Sequence, residues 1–173
     1  MTRILCYAFT IIVTATTFSA CKKDSTPAII YAPGQGKITG SGGANFSAEN
    51  TSALFSKVAD TITLQARVDA GTISGKSFAI GMVVKSTGTI SFNNFAGNTT
   101  GNFTSGAIAY YTYETTNTGG SIIAHEYFVK SGSVNVTSFS GSQVKGTYTG
   151  TFADINNNGD PDITVNGSFD GNF

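Results

Sequence analysis

Thiols, indole rings and imidazoles are scarce in this chain, which has two cysteines, no tryptophan and one histidine in 173 residues. The cysteines are Cys6 and Cys21, so nothing after residue 21 carries a thiol. That excludes disulfides, cysteine-ligated zinc and cysteine nucleophiles from the body of the protein, whose fold must rest on its core and its hydrogen bonds. The lone His125 excludes a histidine-rich metal site. Charged residues make up only 12% of the chain, and no basic stripe exists to neutralise nucleic-acid phosphates. What is abundant is Gly, Ser, Thr and Asn, the texture of an exported all-β protein rather than of a helical cytosolic enzyme.

The first residues read MTRILCYAFTIIVTATTFSAC. Arg3 gives a short positive start, and Ile4 to Val13 is an apolar run too short to span a bilayer as a stable helix. Small residues, Ser19 and Ala20, precede Cys21, the layout of a removable export signal over residues 1–20. Phe18-Ser19-Ala20-Cys21 resembles the lipobox of bacterial lipoproteins, with Phe where Leu is usual. The resemblance implies that Cys21 is acylated and ties the protein to a membrane. An ordinary secretory signal is the alternative. Lys22-Lys23-Asp24 is similar to the charged tether of Bacteroidetes-type lipoproteins, which implies an outer-membrane lipoprotein of the cell envelope, displayed on the outer surface. Residues 21–35 then form the lipidated cysteine and a linker, with a first edge strand over 28–31 as the alternative reading. Residues 36–173 form a single all-β domain, with about 140 folded residues, enough for one core. Loss of Arg3 with the signal leaves a net charge close to −1.

From Gly36 onward, apolar residues recur with period two between turn-formers, which places alternate side chains on one face of a sheet. Near the C-terminus, Ile163, Val165, Gly167, Phe169, Gly171 and Phe173 share one face. Val144, Gly146, Tyr148, Gly150 and Phe152 do the same in the run before it, and Val134 and Val136 in the run before that. These runs predict a three-strand meander of half-buried antiparallel strands. Glycine at inward positions weakens a strand, but it also leaves room for a neighbouring ring or permits a bend. The alternation of glycine with aromatics predicts tight curvature. Earlier runs predict strands over 37–39, 45–48, 53–57, 61–69, 77–85, 89–92, 107–114 and 122–130. Residues 93–106, rich in Asn, Gly and Thr, read as a long loop. No segment keeps a helical period. The expected fold is therefore an antiparallel β-sandwich of about ten short strands, with a curved, barrel-like sheet as the alternative.

The lipobox, the CKKD start, the run ANFSAENTSALFS, then GSVNVTSFSGSQVKGTYTGTF and the terminal ITVNGSFDGNF together resemble a group of small Bacteroidetes-type lipoproteins. The resemblance is most specific over residues 133–173. It implies an all-β exported domain and no activity.

One stretch, DINNNGDPD, has the composition of a calcium loop. Calcium takes six to eight oxygen ligands, and alternating Asp154, Asn156 and Asn158 can converge, with Gly159 for the turn and Asp160 or Asp162 closing the shell. Against this, Val165 stands where a twelfth-position Glu would be. The alternative is a polar hairpin turn, since Asn, Gly, Asp and Pro are what turns use. Weak calcium is thus the one cofactor considered, and none is required. His125 reads as a structural or surface residue, because no G-x-S-x-G turn accompanies it. The carboxylates are scattered, with no pair marked for glycoside chemistry. In AIAYYTYET, Tyr111 and Tyr113 share a face and are candidates for an exposed aromatic pair contacting a glycan or peptide, with cross-strand packing as the alternative.

The expectation is a lipid-anchored, non-catalytic binding or structural module of the cell envelope. Its partners would be the membrane, through the lipid, and a glycan or envelope protein, with no nucleic acid. A small apolar-ligand carrier built on a closed barrel is the alternative. A hydrolase is the third reading, and it requires His125 to meet a serine, or two carboxylates to meet each other, in a cleft.

Overall fold

The computed structural model describes residues 30–69, 74–93, 105–156 and 159–173. The export signal, Cys21 and most of the linker lie outside the described residues, as does most of the stretch read as a loop over 93–106. The described residues form nine strands: β1 (Gln35–Gly42), β2 (Phe46–Val58), β3 (Thr61–Val68), β4 (Lys76–Val83), β5 (Gly88–Ser91), β6 (Ala107–Thr116), β7 (Ile122–Phe139), β8 (Gln143–Asp154) and β9 (Ile163–Asn172).

All strand pairings are antiparallel, and eight strands close into a ring in the order β1-β2-β3-β4-β6-β7-β8-β9. β9 returns to β1, with Ile38 opposite Phe169 and Gly40 opposite Gly167. The fold is therefore a closed up-and-down barrel, and the expected sandwich gives way to its barrel-like alternative. The physical reason is that an even number of meandering strands brings the last one back beside the first in antiparallel sense, and closure removes both exposed edges. The short β5 stands outside the simple meander. It pairs with the lower half of β7, where β6 no longer does.

Two pairs of expected strands are single bent strands. Residues 45–48 and 53–57 belong to β2, which turns at Asn50 (φ 57°), a left-handed conformation that Asn tolerates better than most residues. Its register against β1 shifts between Gln35 and Gly36. Residues 122–130 and the following GSVNVTSF join as β7, whose pairing with β8 skips Lys130 in a bulge. Gly132, at φ 128°, takes a backbone conformation closed to other residues. The bulge bends β7, which then spans the barrel from one end to the other.

The inner face follows the period-two pattern. Ile38, Ile62, Leu64, Ile80, Val134, Val144 and Val165 are completely buried. Rings cross the interior between strands that are not neighbours. Phe78 on β4 lies 4.9 Å from Tyr148 on β8 and 5.0 Å from Phe46 on β2, and Phe46 lies 6.1 Å from Tyr111 on β6. An eight-stranded barrel is just wide enough for its side chains to fill it, and here rings meet across the middle. The inward glycines lie under rings. Phe46 covers Gly40, Phe55 covers Gly36 and Gly171, Phe169 covers Gly146, and Tyr148 covers Gly167. A Cβ on Gly167 would overlap both the Tyr148 ring and the Thr39 carbonyl, to which Tyr148 Oη donates at 2.7 Å.

The two ends differ. At the lower end the two ends of the barrel's strand order meet: Gly34 N–H donates to Asn172 O, and Phe173 N–H to Ser142 O. Tyr31, inside the expected linker, is already buried there. Lys57 Nζ lies over the Phe139 ring at 4.8 Å and the Phe173 ring at 5.8 Å, closing that end. The upper end carries the β1–β2, β3–β4, β6–β7 and β8–β9 connections.

Candidate functional site

The upper rim gathers the polar side chains that the barrel otherwise keeps outside. The β6–β7 hairpin sets Tyr113 opposite His125 and Tyr111 opposite Tyr127, and both rows face inward. The alternation read from the sequence therefore holds for Tyr111 and Tyr113, but their shared face is the interior. Tyr111 is 3% exposed and belongs to the core, so the pair is not an exposed platform. The physical reason is that β6 has neighbours on both sides in a closed ring, and the inner side of such a strand is the core.

Tyr113 stacks on His125 with centroids 4.5 Å apart and planes within 6°. It also lies 5.6 Å from the Tyr111 ring and 6.2 Å from Tyr127. His125 has both nitrogens engaged. Nδ1 meets Asp160 Oδ2 at 2.5 Å, and Nε2 meets Thr115 Oγ1 at 2.9 Å. Asp160 reaches the rim on the β8–β9 connection. A carboxylate accepts and does not donate, so Nδ1–H donates to it, and in the neutral imidazole Nε2 is then the nitrogen that accepts from the threonine hydroxyl. Burial raises the Tyr127 hydroxyl pKa well above the ordinary phenol value, with Tyr113 and the Asp160 carboxylate adding to the shift. Lys76, opposite Tyr113 on β4, is the cation of the same row, and its ammonium donates to Asn45 O at 3.0 Å.

The acidic loop has separate partners for its side chains. Asp154 Oδ1 accepts from the Asn156 backbone N–H at 2.9 Å, an Asx turn, and Asn156 Nδ2 donates to Ala124 O at 3.2 Å. Asp160 goes to His125, while Asp162 receives Lys130 Nζ at 2.9 Å. Asn158 lies outside the described residues. Among the described residues no three His, Cys, Asp or Glu side chains gather for a metal.

The outer wall over β5, β7, β8, β9, β1 and β2 is the second feature. Pairing aligns Thr89, Asn135, Thr147, Ser168, Thr39 and Ser47 in one row across six strands. The next row runs Ser91, Ser133, Thr149, Asn166 and Ser41. Neither row contains a charge. Its members bond one another, as Thr39 Oγ1 with Ser168 Oγ at 2.9 Å and Thr149 Oγ1 to Asn166 Oδ1 at 2.5 Å. Below them runs a row of alternating sign, Lys145, Asp170, Lys37 and Glu49, paired at 2.9 Å (Lys145–Asp170) and 3.5 Å (Lys37–Glu49).

A third feature is an open cleft of about 510 Å³ near the lower end, lined by Val83, Lys85, Thr87, Thr89, Ile90 and Asn93 among others.

Sequence reasoning missed the rim cluster and the hydroxyl rows. His125 and Asp160 stand 35 residues apart. The hairpin register alone would have put Tyr113 beside His125, since the turn-forming TTNTGG separates them. The rows could have been found by aligning the outward residues of GSVNV, GTYTG and TVNGS, where Ser133, Asn135, Thr147, Thr149, Asn166 and Ser168 alternate with the inward ones. No protein-family model matches the chain, and no curated protein or solved structure matches it either.

Proposed function

We propose that this β-barrel is a lipid-tethered binding module of the cell envelope whose outer hydroxyl-and-amide wall takes an uncharged glycan. The carrying observation is the pair of charge-free rows that cross five and six strands. Hydroxyls and amides both donate and accept, which matches the hydroxyls of a neutral sugar chain. Strand geometry repeats these groups about every 4.8 Å across the sheet and about every 6.8 Å along it. The two rows carry no charge, and the charged row below them is paired within itself through Lys145–Asp170 and Lys37–Glu49. The tether is Cys21.

The test is co-sedimentation of the full chain, held in detergent, with insoluble neutral polysaccharides and with charged ones. The expected result is retention on a neutral polysaccharide that survives a rise from about 50 mM to about 500 mM salt and is lost in Thr149→Lys. Retention only on charged polymers, or none, overturns the reading. Cys21→Ala is expected to move the protein from the membrane fraction to the soluble one.

The carrier reading keeps the barrel but must work without its middle, where Phe46, Phe78 and Tyr148 meet. Its cargo would sit in the cleft beside β5. A fluorescent fatty-acid analogue displaced by Ile90→Lys would support it.

A further inference from the structure

The third reading of the sequence required His125 to meet a serine, or two carboxylates to meet each other, in a cleft; the rim instead sets His125 against the exposed hydroxyl of Thr115. The geometry points to Thr115 as an activated hydroxyl nucleophile, with His125 as its general base and Asp160 as the group that orients the base, acting on carboxylic esters. The proposal stands apart from glycan binding on the outer wall.

The argument is geometric. A hydroxyl within hydrogen-bond reach of a base, whose far side is fixed by a third group, is the signature of nucleophilic catalysis on unrelated folds. Here the hydroxyl–imidazole separation is 2.9 Å, and the imidazole–carboxylate separation is 2.5 Å. The two nitrogens are used in the required order, with Nδ1 on the carboxylate and Nε2 on the hydroxyl. The ring cannot turn freely, because Tyr113 lies flat against it. Burial is graded in the useful direction. The His125 side chain is 12% exposed, Asp160 is 26% exposed, and Thr115 is open to solvent.

The step balances without any further reactant. Thr115 Oγ1 attacks the ester carbonyl carbon while its proton passes to His125 Nε2. The tetrahedral intermediate collapses, the carbon–alkoxide bond breaks, and the alcohol leaves with that proton. Water, deprotonated by the same nitrogen, then attacks the acyl-threonine, releasing the carboxylic acid and restoring the hydroxyl. Tyr113 covers one face of the base, and the ester approaches Thr115 from the solvent side.

The test exposes the full chain to a fluorophosphonate probe and follows intact mass, then maps the modified peptide. A parallel assay follows p-nitrophenyl acetate. The expected result is a single adduct on Thr115, absent in Thr115→Val and retained in Thr115→Ser. His125→Gln is expected to slow adduct formation and ester turnover at least about 100-fold, and Asp160→Asn to slow both by a smaller factor. Thermal melts of each variant establish that it is folded. A folded wild-type protein that takes no adduct overturns the proposal. So does an adduct elsewhere, or labelling of a folded His125→Gln at the wild-type rate.

Discussion

Tyr111 and Tyr113 stand two residues apart on β6 and point into the same barrel, yet their surroundings differ. Tyr111 lies in the dry layer, against Phe46 and Tyr127, and burial pushes its hydroxyl up to about 12. Tyr113 lies one layer higher, flat on His125, among side chains that reach water. One turn of the pleat separates a zone governed by ring packing from one governed by directed hydrogen bonds. The middle of the barrel holds the fold, and the rim is free to hold chemistry because the middle does not need it.

That division can be broken most forcefully at its centre. Phe78→Ala removes the ring that meets Phe46, Tyr148 and Phe152, and it should cost about 3–5 kcal/mol in a denaturant melt. Gly167→Ala adds one carbon where Tyr148 and the Thr39 carbonyl already sit. It should cost about 3 kcal/mol, because overpacking adds to the loss of the Tyr148–Thr39 hydrogen bond.

High pH separates the layers next. Tyr111, Tyr127 and Tyr148 all have hydroxyl pKa values raised chiefly by burial. Each is neutral when folded and ionises at about 10 when unfolded. Their stabilising contribution is therefore complete below pH of about 10 and is lost as pH rises above it. Between about pH 10 and about pH 12, Tyr111 alone should remove about 1.4 kcal/mol per pH unit. A phenolate absorbance titration should show these phenols silent until the barrel unfolds.

Tyr148→Phe keeps the ring and drops only its hydroxyl, for a loss of about 1 kcal/mol. Thr149→Val, on the outer wall, should change stability by less than about 0.5 kcal/mol while weakening polysaccharide retention.

Much of the inner wall was legible in the sequence because a strand's period is two residues, whatever sheet it joins. Val144 to Phe152 and Ile163 to Phe173 face inward as their alternation requires. The glycines there were legible as well: Gly146, Gly167 and Gly171 leave space for rings from other strands, Phe169, Tyr148 and Phe55. Closure was not legible. Ile38 and Phe169 pair across 131 positions, and nothing local to either announces the other. The same holds for Asp160 at the rim. The composition of its loop records which side chains are polar and not where the rest of the chain places their partners. His125 and Lys130, both on β7, receive Asp160 and Asp162, and only the fold brings them there.

The join at the lower end has a consequence for how the chain is connected. Gly34 donates to Asn172, and Asn172 Nδ2 donates to Tyr31 O, so residues near both ends of the described chain touch. Around a closed ring of strands, the place where the polypeptide begins is a matter of where it was cut. Linking residue 173 to residue 31 and opening the β6–β7 turn instead should give a circular permutant with the same barrel. Tyr31, close to the first described residue, meets the barrel at the end opposite the rim that carries Thr115 and His125, so a join made there leaves the rim untouched.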